Sequence, residues 1–253
     1  WHYHFGQGFV STPSDFGFNG GLPSHPQLLD WLASRLVQDG YRLKALHRRI
    51  VLSSTYRQGS RPNRNGLAKD AGNRLLWRMS PRRVEAEVVR DAILSVSGQL
   101  NPERGGPGFE DVSITPNNGT VYYEARDRDD PAVHRRTVYR FTPRGGRTAI
   151  LDTFDCPDPS TAAPTRNVTT TPLQALSLLN NPFVLRMATR MAERIAGRVG
   201  EDVNSQVIRA WQLAIQRDPD PREQRLSIEL VRQHGLATLC RGLFNINDFV
   251  IIE

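Results

Sequence analysis

Five times along the chain a capping residue stands one or two positions ahead of a proline, and an apolar-periodic run follows: Ser24-His25-Pro26, Ser80-Pro81, Thr171-Pro172, Asn181-Pro182 and Asp220-Pro221. A short polar side chain accepts a hydrogen bond from an otherwise orphaned amide of the first helical turn. Proline loses nothing there, because its missing N–H has no partner inside the helix. A chain punctuated this way folds as a succession of helices. Leu28, Leu29, Leu32 and Leu36 form a stripe after Pro26, and Gly40 ends it. A second helix from about Arg42 carries Leu43, Leu46 and Ile50, with His47 beside the stripe as a structural histidine, so the two should pair as an antiparallel hairpin.

From Ser80-Pro81 to about Leu100 the spacing predicts a helix with Val84, Val88, Ala92 and Val96 inward. Arg83 and Glu87 are spaced for an ion pair along it, and Glu85, Glu87, Arg90 and Asp91 read as a solvated or salt-bridged face. Beyond Pro182, Phe183, Met187, Met191 and Ile195 repeat at i, i+4, the pattern that burial alone requires. Val207, Trp211, Ala214 and Ile215 mark the next helix. Asp220 and Glu223 form a capping box before Leu226 and Leu230, and a last helix spans about Leu236–Phe244.

Between these helical parts the character changes. Residues 58–73 and 101–119 read as loop, whereas Thr120–Ala125 and Arg136–Phe141 are dense in β-branched and aromatic residues. The charged run Arg126–Arg135 is expected to be a turn too polar to pack, and Ala149-Ile150-Leu151 a third strand. The expected fold is therefore mainly α: a multi-helix bundle with a small inserted antiparallel β-hairpin or three-stranded sheet. Residues 1–253 read as a single domain with sub-regions 1–100, 101–153 and 154–253.

The densest polar stretch runs from Asp152 to Asn181. It opens with Asp152, Asp155 and Asp158 in a proline-broken segment not expected to be regular helix, then passes Arg166, Asn167, Thr169 and Thr170 to the cap Thr171. Polar side chains packed so closely are costly to order unless they satisfy the backbone, each other or a ligand. Residues Trp1–Gly21 are a second candidate region, an aromatic loop whose Phe5, Phe9, Phe16 and Phe18 should plug the core, with a sharper reading in which His2 and His4 line a ligand or metal site. His2 and His4 would share a side only on a strand, and with no cysteine or carboxylate at ligand spacing no metal is assigned there.

The net charge of +7 rests almost wholly on arginine, with lysine only at Lys44 and Lys69. Guanidinium forks suit carboxylate, phosphate and sulfate. The arginines are scattered (Arg48-Arg49, Arg82-Arg83, Arg135-Arg136, Arg144, Arg147) with acids nearby, which disfavours nucleic acid as a partner. No apolar run reaches transmembrane length, so no membrane span is expected. The chain opens at Trp1, in what reads as the middle of an element, and is expected to be a piece of a longer protein. Cys156 and Cys240 could pair or remain two buried thiols.

No Walker loop, GxGxxG, GxSxG, HExxH or EF-hand loop is present. Asp152, Asp155 and Asp158 lack the glycine and terminal glutamate of a calcium loop, so calcium is disfavoured against capping and pairing with Arg166 or Arg144. Without Cys-x-x-Cys-His this stretch attaches no c-type haem of its own. A triad of Ser54, His47 and Asp91 can be drawn, but no motif supports it.

The segments WHYHFGQGFVSTPSDFG, PSHPQLLDWLA, LKALHRRIVLSSTYRQ, NRLLWRMSPRRVEAEVVRDAILSVSGQL, RTVYRF, FDCPDP, RNVTTTPLQALSLLNNPFV and LCRGLFNINDFV occur in that order. Together they resemble the planctomycete PSD1 domain, a domain of unknown function. The resemblance covers essentially the whole chain and is weakest between Glu110 and His134. It implies a C-terminal module of a large exported protein, behind a c-type cytochrome segment, in a periplasmic or cell-surface setting. No cofactor is implied for this stretch, and haem only upstream. It implies no catalytic residues, but its motifs mark Arg82, Arg83, Arg166, Asn167, Thr169, Thr170, Gln174 and Asn180.

Three readings follow. The leading one is a binding or assembly module partnered by other domains of the parent chain, with Arg166 and its neighbours holding an anion such as an acidic polysaccharide. The second is a polysaccharide-directed enzyme using Asp152, Asp155 or Asp158 with His25 or His4. The third is a structural scaffold for an upstream haem domain.

Overall fold

The computed structural model describes residues 1–146 and 148–252, so Arg147 lies outside the described residues. The chain divides into two compact units, residues 1–82 with 252, and residues 83–251. The first holds α1 (His2–Phe5), α2 (Pro26–Gln38), α3 (Leu43–Val51) and α4 (Arg64–Lys69). The second holds α5 (Ala86–Ser97), β1 (Val112–Asn117), β2 (Thr120–Ala125), α6 (Ala149–Thr153), α7 (Pro172–Asn180), α8 (Pro182–Val199), α9 (Val203–Ile215), α10 (Pro221–His234), α11 (Leu236–Phe244) and α12 (Asn247–Val250). The fold is mainly α with small antiparallel β structure.

In the second unit α8 is the central rod, packed against α5, α7, α9 and α11. Asn181 caps it by accepting from the Phe183 amide, and Pro182 occupies its first position. Met187, Met191 and Ile195 are fully buried, as their spacing requires. Each contributes about 1.5–3 kcal/mol on leaving water. Asp220 with Glu223, and Thr171 with Gln174, form complete capping boxes on α10 and α7. The core of the first unit is far smaller: Phe5, Ile50 and Met79, flanked by Trp1, Leu46, Tyr56 and Leu76.

Several expectations are corrected. Ser80-Pro81 does not open a helix: Arg82 and Arg83 are extended and α5 begins at Ala86. The Val84 amide donates to the Val250 carbonyl instead of entering a helical ladder. The buried face of α5 is then Ala86, Val89, Arg90, Ile93, Leu94 and Ser97, while Val88 faces water. The hairpin pairs Val112–Asn117 with Thr120–Ala125, not Thr120–Ala125 with residues 136–141. Its turn is Asn118-Gly119, both at positive φ (45° and 81°), the two-residue turn whose twist matches that of paired strands.

Residues 137–139 instead form a 3-10 turn, because Asp91 accepts from both the amide and the hydroxyl of Thr137. Ala149–Thr153, expected as strand and then broken chain, is the short helix α6 and includes Asp152. Residues 64–69, expected as loop, form α4 under an Asn63 cap. In the charged run before Arg136, Val133, His134 and Arg135 are buried rather than too polar to pack.

Candidate functional site

The polar central stretch is held by partners from α5 and the chain before it. The Arg83 guanidinium pairs with Asp155, whose carboxylate also accepts from the amide and hydroxyl of Thr169 (2.8 Å each). Asp155 sits at φ 61°, a left-handed conformation that aspartate tolerates better than most residues and that these bonds hold in place. Arg166 forks onto Glu87 with contacts of 2.7 and 3.0 Å, and Glu85 lies 3.5 Å from its Nε. The Arg83–Glu87 pair along one helix therefore does not form. Each residue reaches instead to a partner distant in sequence.

The remaining members serve the backbone. Asp152 accepts from the Thr148 amide at 3.1 Å and Asp158 from the Ser160 amide at 2.8 Å. Gln174 is buried in its capping box and also donates to Thr169, and Asn180 donates to the Leu176 carbonyl. Asn167 and Thr170 are exposed. Burial opposes ionisation of Glu87, but the Arg166 bonds outweigh it and hold the carboxyl below the usual range. Those same bonds raise the Arg166 guanidinium. Cys156 lies 3.9 Å from Glu87 Oε1, and burial with that neighbouring charge pushes its thiol up to about 11. Cys240 is pushed up to about 12 by burial, and both cysteines are free thiols.

The candidate histidines belong to the N-terminal unit. His2 to Phe5 is one helical turn, so His2 and His4 do not share a face. His4 Nε2 lies 2.7 Å from His47 Nδ1, and His25 Nδ1 lies 2.8 Å from the Ser24 hydroxyl. Burial, then the neighbouring His47 ring and Arg82, lower the His4 pKa and favour the neutral ring. Among the described residues no group of three or more His, Cys, Asp or Glu is placed to hold a metal ion.

The sequence did not single out a cleft of about 220 Å³ in the helical unit, whose lining includes Asp111, Arg126, His134, Thr148 and Phe183. Its inner wall is fixed by Arg90, only 6% exposed. That guanidinium donates to the carbonyls of Val133 and Arg135 and to Thr137 Oγ1, and lies 5.3 and 5.6 Å from the ring centroids of Phe109 and Phe183. Burial lowers its pKa, and its charge is spent on shaping the segment that carries His134.

His134 is 4% exposed, with Nε2 3.4 Å from Asp129. Burial pulls its pKa down, more than Asp129 restores, which leaves a neutral imidazole at pH 7. Asp111 Oδ2 accepts from the buried Arg140 at 2.8 Å, and its Oδ1 is buried without a partner among the described residues. Arg126 donates its amide to the Asp111 carbonyl, while its exposed guanidinium has no partner among the described residues. The only signal that could have found this site is the charge density of residues 126–135.

No curated protein and no solved structure matches the chain. The model of a family described as PSD1, protein of unknown function (DUF1553), matches residues 1–231, most of the length, including the central stretch, the cleft and the aromatic loop. The chain therefore belongs to the PSD1 family, whose function is unknown.

Proposed function

We propose that this PSD1 domain is a non-catalytic docking module of an exported, cytochrome c-linked protein, set in the periplasm or at the cell surface, and that its partner is another domain of the parent chain. The observation that carries this reading is the N-terminal aromatic loop. Phe5 and Phe9 turn inward, Phe9 stacking on Trp1 at 4.3 Å, but Phe16 is 78% exposed, Leu22 83% and Phe18 fully. The loop itself is built to stay in shape. The Ser24 amide closes it on the Phe9 carbonyl at 2.8 Å, Asp15 accepts from the Gly17 amide, and Thr12 Oγ1 accepts from the Gly21 amide. At Gly20 a Cβ would lie 2.2 Å from the Asp15 carbonyl oxygen, so no other residue fits. Large apolar side chains presented to water on a stiff frame are the usual form of a docking anchor.

The enzyme reading has less support, because Asp152, Asp155 and Asp158 are all engaged with backbone amides. An external anion at Arg166 would have to displace a bidentate internal carboxylate.

The test is binding in trans to the separately produced remainder of the parent chain. At about 2 kcal/mol per buried phenylalanine, the double variant Phe16→Ser/Phe18→Ser should weaken that binding by at least about a hundredfold while leaving the helical circular dichroism unchanged. Equal affinities, or no binding by the unaltered domain, would sink the proposal.

A further inference from the structure

The cleft of the helical unit has chemistry unlike that of the aromatic loop, and nothing in a docking role uses it. Its cationic group free of internal partners among the described residues is Arg126, at the exposed side, and Asp111 and Asp127 stand on the same lining. Both carboxylates are already paired, Asp111 with Arg140 and Asp127 with Arg186, and the one open guanidinium matches a single carboxylate better than a doubly charged phosphate or sulfate. Deeper in, the lining offers hydroxyl-matching groups. They are the unpartnered Oδ1 of Asp111, which needs a donor, the neutral ring of His134, which can donate or accept, and the Thr148 hydroxyl. Phe183 supplies an apolar face on the same wall. A cleft of about 220 Å³ suits a small ring rather than a length of polymer.

We propose that this cleft binds one polyhydroxylated carboxylate, a sugar-acid residue. Arg126 takes the carboxylate, Asp111 and His134 the ring hydroxyls, and Phe183 the apolar ring face. Asp111 Oδ1 is screened from solvent, so a ligand hydroxyl reaches it only as side chains at the exposed rim of the cleft swing aside, while the Arg126 amide keeps its bond to the Asp111 carbonyl. The unpartnered buried oxygen is then satisfied by the incoming hydroxyl, the arrangement expected of a polar site completed by its ligand. No covalent step is involved.

The probes are D-glucuronate, D-glucose and acetate, titrated into the intact domain by calorimetry, with Arg126→Ala and Asp111→Asn as variants. Glucuronate should bind saturably and more tightly than either glucose or acetate. Arg126→Ala, at an exposed side chain with no partner among the described residues, should weaken glucuronate by about tenfold or more and leave glucose unchanged. Asp111→Asn, with its helical circular dichroism unchanged, should weaken both sugars, and undiminished binding of both would remove Asp111 from the site. An oligosaccharide ending in glucuronate that binds more tightly than the monomer would identify a polymer end as the natural ligand, and equal affinity a free sugar acid. Glucuronate binding no tighter than acetate, or undiminished in Arg126→Ala, would overturn the proposal. Neither result bears on the aromatic loop, which lies outside the cleft.

Discussion

Arg90 illustrates what arginine does in this chain. On sequence it sits in a charged patch of a helix and reads as solvated. In the structure it is buried between Phe109 and Phe183 and feeds three oxygens of residues 133–137. Arg135 likewise donates to the carbonyls of Gly105 and Pro107, and Arg194 to those of Ser95 and Val96 at the end of α5. A planar fork with several donors can satisfy orphaned carbonyls of irregular chain at a distance, which a lysine ammonium does less well. That use accounts for a basic composition without calling on nucleic acid. Arg90→Ala should therefore cost about 3–5 kcal/mol, read from the urea midpoint, since it strands buried acceptors together with a packing void. A loss below ~1 kcal/mol would mean that the 133–137 segment finds other partners.

The site residues show why spacing alone reaches only part way. Arg166, Asp155 and Thr169 are recognisable as a built polar cluster, but spacing pairs their partners Arg83 and Glu87 with each other at i, i+4. Nothing in local sequence says that a guanidinium will look for its carboxylate in a distant element. His134 and Asp111 were invisible for the same reason: their burial is a product of how Arg90 and Arg140 fold the loops over them.

At the scale of elements, the C-terminal helices were readable because caps are local. Thr171, Asn181 and Asp220 each accept from an amide two or three residues on. Ser80-Pro81 carries the same pattern and fails, because the Val84 amide is taken by Val250 before a helix can start. The Asn-Gly turn was present in the sequence, and the neighbouring proline and polar residues masked the strand leading into it. The C-terminal stop of α5 offers a sharper test of element-level reasoning. Gly98 holds φ 80°, and a Cβ there would lie 3.0 Å from Arg194 Cδ, the side chain that caps the α5 carbonyls. Gly98→Ala should cost about 1–2 kcal/mol by chemical denaturation, from the left-handed backbone alone or with the displaced cap. A neutral substitution would show that the turn relaxes freely.

At the scale of the whole molecule, the two units differ in how much they bury. The helical unit has a continuous core from Val89 through Met187 to Phe244, whereas the N-terminal unit closes on Phe5, Ile50 and Met79 and leaves Phe16, Phe18 and Leu22 in water. A unit with so small a core gains stability from whatever covers its apolar surface. The measurement that tests the proposed docking most directly is hydroxyl-radical footprinting of Phe16 and Phe18 in the isolated domain and in the longer chain proposed to carry it. The account predicts heavy labelling in the isolated domain and several-fold protection in the parent. Equal labelling in both would contradict it.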